Sequence, residues 1–330
     1  MHNELYPWLN SIYIQLIDAY KNNLMHHGIL LYSNSGNGLE RLCDSIIKWL
    51  ICQNKKGYKN CKKCHSCYLM NSGNHPDLHI LKLENKKINI SVDSIRNLIE
   101  KINYYPQQDV QKIIYIPNTE FLSDAAANAL LKTLEEPVKD TYFILKCEKQ
   151  KNILSTIRSR CINYFIPTPN QDIVLSWLKL QSINLDKKNI ITAIKLSNGS
   201  PITALELLKP DNWLEREKLC NELKFSIQQH NMLNLIHILN TECVLKQIKW
   251  LLSLLIDSIK LKQQTFNLFI NYDQIDLVKI LTKLMKMSQL IISYKQWQNC
   301  YNQLLTINGL SKELILINQL LRWETLINTL

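Results

Sequence analysis

The chain has 330 residues, 46% hydrophobic and 20% charged, with a formal net charge of +11 at pH 7. This is an ordinary composition for a soluble globular protein of two or three domains. It holds no run near the ~18 unbroken apolar residues of a membrane span, and its start, MHNELYPWLN, is neither basic nor apolar enough for a secretory signal.

The cytoplasm is therefore the expected location, and disulfides among the ten cysteines are not expected. Six arginines stand against 33 lysines, in a chain rich in Asn and Ile and poor in Gly (7) and Pro (9). That skew points to an AT-rich genome, so the basic excess fits codon usage as well as a nucleic-acid partner.

In chain order, the apolar run 28–32 predicts a buried strand. A turn of small residues follows at 33–38. The spacing of Leu39, Leu42, Cys43, Ile46, Ile47 and Leu50 then predicts a helix over 38–52. Strand, turn and helix have the form of a phosphate-binding loop, G-x-x-x-x-G-K-[ST], whose lysine reaches the phosphates and whose hydroxyl holds Mg²⁺. Here the turn keeps Gly36 and Gly38, but Ser33 replaces the first glycine, Leu39 the lysine and Glu40 the hydroxyl. No cofactor nucleotide is expected on this loop.

Cys52, Cys61, Cys64 and Cys67 follow in a C-x8-C-x2-C-x2-C array. Four thiolates satisfy a closed tetrahedral Zn²⁺ site, so a structural zinc module is expected over 52–67, stabilised by nearby lysines. His65 is expected to be a bystander.

Further strands are predicted at 78–83, 112–116 and 141–146, and helices at 92–103 and 123–136. Such alternation argues for an α/β domain with a parallel sheet. The strand at 112–116 ends in Pro117-Asn118, where a nucleotide-hydrolysing domain would place metal-holding carboxylates. Ser123 is an N-cap. It opens either a plain capped helix or one whose positive end meets a phosphate. In TIRSRC (156–161), Arg158 and Arg160 read as surface ion-pair residues or as an arginine finger for a neighbour's site.

FIPTPN (165–170) reads as a domain boundary. Helices are expected over 171–208 with a break at 198–201, and a second break at 209–213. Beyond it the chain reads as helical, with apolar faces at Trp250, Leu251, Leu254, Leu255 and Ile259, and at Leu314, Ile317, Leu320 and Leu321.

Several segments together resemble one family: YPWL (6–9), the four-cysteine array, GNHPD (73–77), DAAANALLKTLEEP (124–137), RSRC (158–161), LSNGSP (196–201) and DNW (211–213). The chain is similar over nearly its whole length to the clamp-loader subunits of bacterial DNA polymerase III, of the AAA+ class. ALLKTLEEP and SRC are shared with the ATP-hydrolysing subunits. The dead loop, the zinc cysteines and Ser-Arg-Cys together match the non-hydrolysing kind.

The resemblance implies a fold of α/β plus all-α class. Residues 1–167 would form an AAA+ P-loop-type parallel-sheet domain with the inserted zinc module, 168–209 a small helical lid, and 210–330 a helical collar. It implies a five-subunit ring with delta and tau/gamma-type ATP-hydrolysing subunits, which loads the sliding clamp onto primer–template DNA during replication. The chain would not be catalytic by itself, though part of a DNA-directed DNA polymerase, a nucleotidyltransferase. By position, Arg160 would be the finger acting in trans, with Arg158 second. Ile202 stands where hydrolysing relatives carry a lid arginine, and Ser123, Lys87 and Arg96 fall at or near DNA-phosphate positions. Two other readings stay open: an active ATPase with an atypical loop, and a stand-alone zinc-dependent nucleic-acid-binding module.

Overall fold

In a computed structural model, the structure describes residues 5–83, 89–102, 111–148, 153–181, 186–265, 268–306 and 311–328. The chain divides into two compact units, Met1–Pro169 and Asn170–Leu330.

The first unit is built on a parallel sheet whose three central strands, apolar throughout, are buried on both faces, while its two edge strands are partly exposed. The strands are β1 (Gly28–Ser33), β2 (Leu78–Ile80), β3 (Lys112–Ile116), β4 (Thr141–Cys147) and β5 (Ile162–Ile166). Their order is β2-β3-β4-β1-β5 and every pairing is parallel. Alternation along the strands divides the core. Ile29, Leu31, Ile113, Tyr115 and Ile144 pack with α2 (Leu39–Ile51) and with α1 (Asn10–Lys21). Leu30, Ile114, Ile116, Phe143 and Leu145 form the opposite core with α4 (Val92–Ile102) and α5 (Asp124–Glu135). The buried Lys112 side chain donates to the carbonyl of Ile102 at the end of α4, answering an orphan acceptor there.

Several boundaries differ from the sequence reading. The strand expected over 78–83 is confined to Leu78–Ile80, with one more ladder bond from Leu81 N–H to the Tyr115 carbonyl at 2.9 Å. Ser123 lies outside α5 as its cap, and residue 103 is outside the described residues. Helix α1 and strand β5 were not anticipated.

The second unit is helical: α7 (Gln171–Lys179), α8 (Lys187–Leu196), α9 (Pro201–Leu207), α10 (Pro210–Gln228), α11 (Ile236–Leu239), α12 (Val244–Lys262), α13 (Ile275–Leu284), α14 (Met287–Thr306) and α15 (Lys312–Asn328). The break expected over 209–213 is shorter, because Pro210 occupies the first helical turn of α10, where its missing N–H costs nothing. One apolar core runs from Val174 to Ile327. On α12 the predicted face is inward: Trp250, Leu251, Leu254 and Leu255 are buried. On α15 the inward stripe is Leu316, Leu320, Trp323 and Ile327, while Leu314 and Leu321 are exposed. Only Leu320 of the expected fully inward set holds its place, with Ile317 half-buried.

A polar network threads this core. Arg216 of α10 is fully buried, and its guanidinium meets Asp273 at 3.1 Å and Asn271 Oδ1 at 2.8 Å. Asp257 of α12 accepts from the backbone N–H groups of Ile270 and Asn271 at 2.9 and 2.7 Å. From α8, Lys195 donates to the Phe269 carbonyl at 2.7 Å, and Thr192 Oγ1 accepts from Asp273 N–H at 3.3 Å. No helix among the described residues is long and apolar enough to cross a membrane.

Burial holds His27 and His79 below the ordinary imidazole value of 6.5. The unfolded chain therefore takes up these protons first as pH falls. Their contribution is complete above the unfolded value and is lost as pH drops through the depressed folded values. The urea midpoint of the first unit's transition is expected to fall between about pH 7.5 and about pH 5.5. His27→Gln, which keeps an N–H for the Leu134 carbonyl, should flatten that slope. A midpoint independent of pH over this range would contradict the assignment.

Candidate functional site

The first unit gathers the sequence-flagged chemistry in three places. At the first, β1 runs into a tight turn in which Gly36 and Gly38 adopt left-handed φ values of 82° and 83°, a conformation that favours glycine. Gly38 then caps α2. Leu39 is 6% exposed and joins the sheet core with Leu42 and Ile46, whereas Glu40 is exposed.

The turn is closed by its own side chains. Asn37, 1% exposed, donates to Ser33 Oγ at 2.9 Å and to Thr168 Oγ1 at 3.3 Å. Ser33 Oγ donates to the Ile166 carbonyl at 3.0 Å, and Trp8 Nε1 donates to the Asn37 carbonyl at 2.8 Å. Asn37 and Thr168 were not singled out by the sequence; an Asn inside a glycine-flanked turn was the available signal.

One strand beyond β1's neighbour β4 in the sheet, β3 ends at Ile116. Pro117 and Asn118 form a turn before a short 3₁₀ helix, Thr119–Phe121. The first carboxylate past the strand is Glu120, whose Oε1 accepts from Glu148 N–H at 3.2 Å. The surroundings are dry: burial pushes the Cys43 thiol of α2 up to about 12.

The second place is the thiol cluster. Cys52 follows α2, Cys64 caps α3 (His65–Asn71) and Cys67 lies in its first turn. A hairpin paired at Lys56 and Lys59, with Gly57 at φ 59°, folds the eight-residue gap back on itself. Trp49 Nε1 fixes it through the Gly57 carbonyl at 3.2 Å. The four sulfurs lie within 4.8 Å of one another, so the cluster could hold a metal ion. Backbone N–H groups point at the sulfurs: Cys61 to Cys52 Sγ at 3.2 Å, Cys64 to Cys61 Sγ at 3.2 Å and Cys67 to Cys64 Sγ at 3.4 Å. The N–H groups of Lys63 and Cys64 lower Cys61 to about 6, favouring the thiolate that metals bind. Backbone dipoles thus act beside the lysine charge the sequence reading invoked, since Lys55 interacts with Cys52 and Cys64. His65 is exposed and outside the cluster.

The third place lies where α5 ends. Its N-cap Ser123 accepts from Ala126 N–H at 3.2 Å. A short helix, α6 (Ser155–Ser159), precedes Arg160. The Arg160 Nε–H donates to Glu135 Oε1 at 2.6 Å, and Nη2 donates to the same oxygen. Nη1 donates to the Thr156 carbonyl at 3.0 Å. Arg158 is exposed, and no ion pair of its side chain occurs among the described residues. Glu135 was not a sequence candidate, although it lies in the flagged segment LEEP.

Gly28 matters here for what it lacks. A Cβ on it would sit 3.2 Å from the Arg160 carbonyl oxygen and 3.2 Å from Cys161 Sγ. Arg96 is exposed on α4 and pairs with Asp93 at 3.7 Å; Lys87 lies outside the described residues.

The family described as "DNA polymerase III, delta subunit" matches residues 8–170, and "DNA polymerase III, delta subunit, C terminal" matches 210–325. The chain is 41% identical to DNA polymerase III subunit delta' of Yersinia pestis, over 98% of this chain and 96% of that one. It is 38% identical to the protein of that name from Buchnera aphidicola subsp. Baizongia pistaciae, over 98% of each chain. With that of Escherichia coli K12 it shares 34% identity, over 97% and 95% of the two chains.

Proposed function

The chain belongs to the DNA polymerase III delta-prime subunit family, and from that premise we propose that it is the non-hydrolysing member of a clamp-loader ring. In this reading it binds delta and tau/gamma-type subunits, helps place the sliding clamp on primer–template DNA, and lends Arg160 to a neighbour's ATP.

The observation that carries the reading is the self-closed loop. Asn37 spends its amide N–H groups on Ser33 Oγ and Thr168 Oγ1, pinning the turn to the residues after β5. Leu39 is turned into the core and Glu40 adds negative charge at the rim. The end of β3 offers Pro117 and Asn118 in place of metal-binding carboxylates. A subunit built this way contributes shape and an arginine rather than ATP. Arg160 is the stronger finger candidate, since a planar guanidinium can bridge phosphate oxygens. We assign 168–209 as a lid and 210–330 as the collar that closes the ring. Ser123, Arg96 and Lys87 are proposed DNA-phosphate contacts.

The thiol cluster is proposed to bind one structural Zn²⁺. Four sulfurs around tetrahedral zinc at Zn–S ~2.3 Å stand ~3.8 Å apart, and Cys61 Sγ and Cys67 Sγ are 3.9 Å apart. One zinc per chain is expected by elemental analysis of protein purified without chelator. Cys64→Ser should lower that stoichiometry and the melting temperature of the first unit. Metal-free protein of unchanged stability would refute the site.

Reconstitution tests the function. The chain, mixed with the other subunits, is expected to complete a five-subunit ring and restore DNA-stimulated ATP hydrolysis and clamp loading. Micromolar MgATP binding to the isolated chain would overturn the non-hydrolysing assignment.

A further inference from the structure

We propose that Glu135 is a positioning residue for Arg160, holding its guanidinium in the attitude in which it meets a neighbour's nucleotide. The inference rests on reading Arg160 as a finger in trans.

The two segments that resemble hydrolysing subunits, ALLKTLEEP and SRC, lie on different elements, and this ion pair links them. The way they meet is specific. Glu135 Oε1 takes Nε–H at 2.6 Å and an N–H of Nη2, one edge of the guanidinium. Thr156 takes an N–H of Nη1 at 3.0 Å, with Ser159 Oγ at 3.5 Å. The other N–H of Nη2 has no partner among the described residues. The group is thus gripped from the side, leaving a donor for a phosphate oxygen. Among the described residues Arg158 has no such brace.

Both ends of the brace are fixed. His27 Nε2–H donates to the carbonyl of Leu134, next to Glu135, at 2.7 Å. Arg160 N–H donates to the Ile157 carbonyl at 3.1 Å, and bare Gly28 lets the Arg160 carbonyl pack against β1. A half-exposed ion pair adds little to folding stability. Its effect is to order a flexible side chain before the reaction, so that the ordering is not required in the transition state.

The test uses the reconstituted ring carrying Glu135→Gln or Glu135→Ala. Turnover at the served site is expected to fall about 10- to 100-fold, with KM for ATP, ring assembly and zinc content unchanged. In an Arg160→Ala background neither Glu135 change should lower the rate further. Three results overturn the proposal: a rate raised by Glu135→Ala, which would make the carboxylate a lock; a parent rate where Arg160→Ala is impaired; or an equal loss in both backgrounds, which would place Glu135's action elsewhere. Arg160→Ala alone reports on the finger itself, and a parent rate in that variant removes the reading on which this proposal stands.

Discussion

Rings carrying Arg160→Ala are expected to assemble and bind ATP, but to hydrolyse it at the served site about 10³-fold more slowly or worse. The lost transition-state stabilisation corresponds to about 4 kcal/mol. Arg160 is partly exposed, and its pair with Glu135 is a surface pair, so removing it should cost the fold little. Arg160→Lys should recover only part of the rate, because an ammonium supplies charge without the planar fork. A residue that merely braced the subunit interface would behave in the opposite way, with weak assembly and normal turnover in each intact ring. Single-turnover hydrolysis by rings isolated by size, with every active site counted, separates the two. Parent-rate turnover in intact Arg160→Ala rings would defeat the finger assignment and move attention to Arg158.

The largest stability effect is expected at Asp273. Its carboxylate faces Arg216, whose side chain is 0% exposed, while that of Asp273 is 6% exposed. Trp213 and Trp250 flank the guanidinium at 5.8 and 5.9 Å, near enough for cation–π attraction. Asp273→Ala leaves a buried cation facing only Asn271 and these rings, and should cost about 3–5 kcal/mol. Arg216→Met with Asp273→Leu removes both charges and should cost less than the single change. Urea unfolding of the full chain, followed by tryptophan fluorescence, can resolve this, since five of the seven tryptophans lie beyond residue 170. If Asp273→Ala left the second unit's transition in place, the pair would be ornamental to stability.

What could be read from the sequence follows from where the information is local. The runs 28–32, 112–116 and 141–146 became strands because a strand buried on both faces must be apolar throughout. The thiol array was legible because metal spacing is written along the chain. Strand β5 was missed because it is an edge strand: Ile162 and Phe165 are 40% and 52% exposed, so no clear inward pattern marks it. Helix α1 carries short apolar runs, Ile12-Tyr13-Ile14 and Leu16-Ile17, rich in β-branched and aromatic residues, a pattern that serves a strand as well. On α15 two apolar stripes compete, and the sequence cannot say which one turns inward. Glu135 was hidden for another reason. Its partner lies 25 residues away on a different element, and only the packing of α5 beside Gly28 brings the two together.

The closed loop beside β1 also bears on the history of the chain. A phosphate cradle emptied only of its lysine could regain it in one substitution. Here Leu39→Lys alone would draw an ammonium into the sheet core while the carboxylate of Glu40 stayed at the rim, so the first step back would lower stability and gain no affinity. Asn37, Ser33, Glu40 and the Pro117-Asn118 turn would each have to change as well, and Asn37 and Ser33, joined by a hydrogen bond, do not contribute additively. Selection sees each loss before any gain. On the proposed reading, release from nucleotide is an evolutionary ratchet, held by epistasis among side chains that now serve the fold.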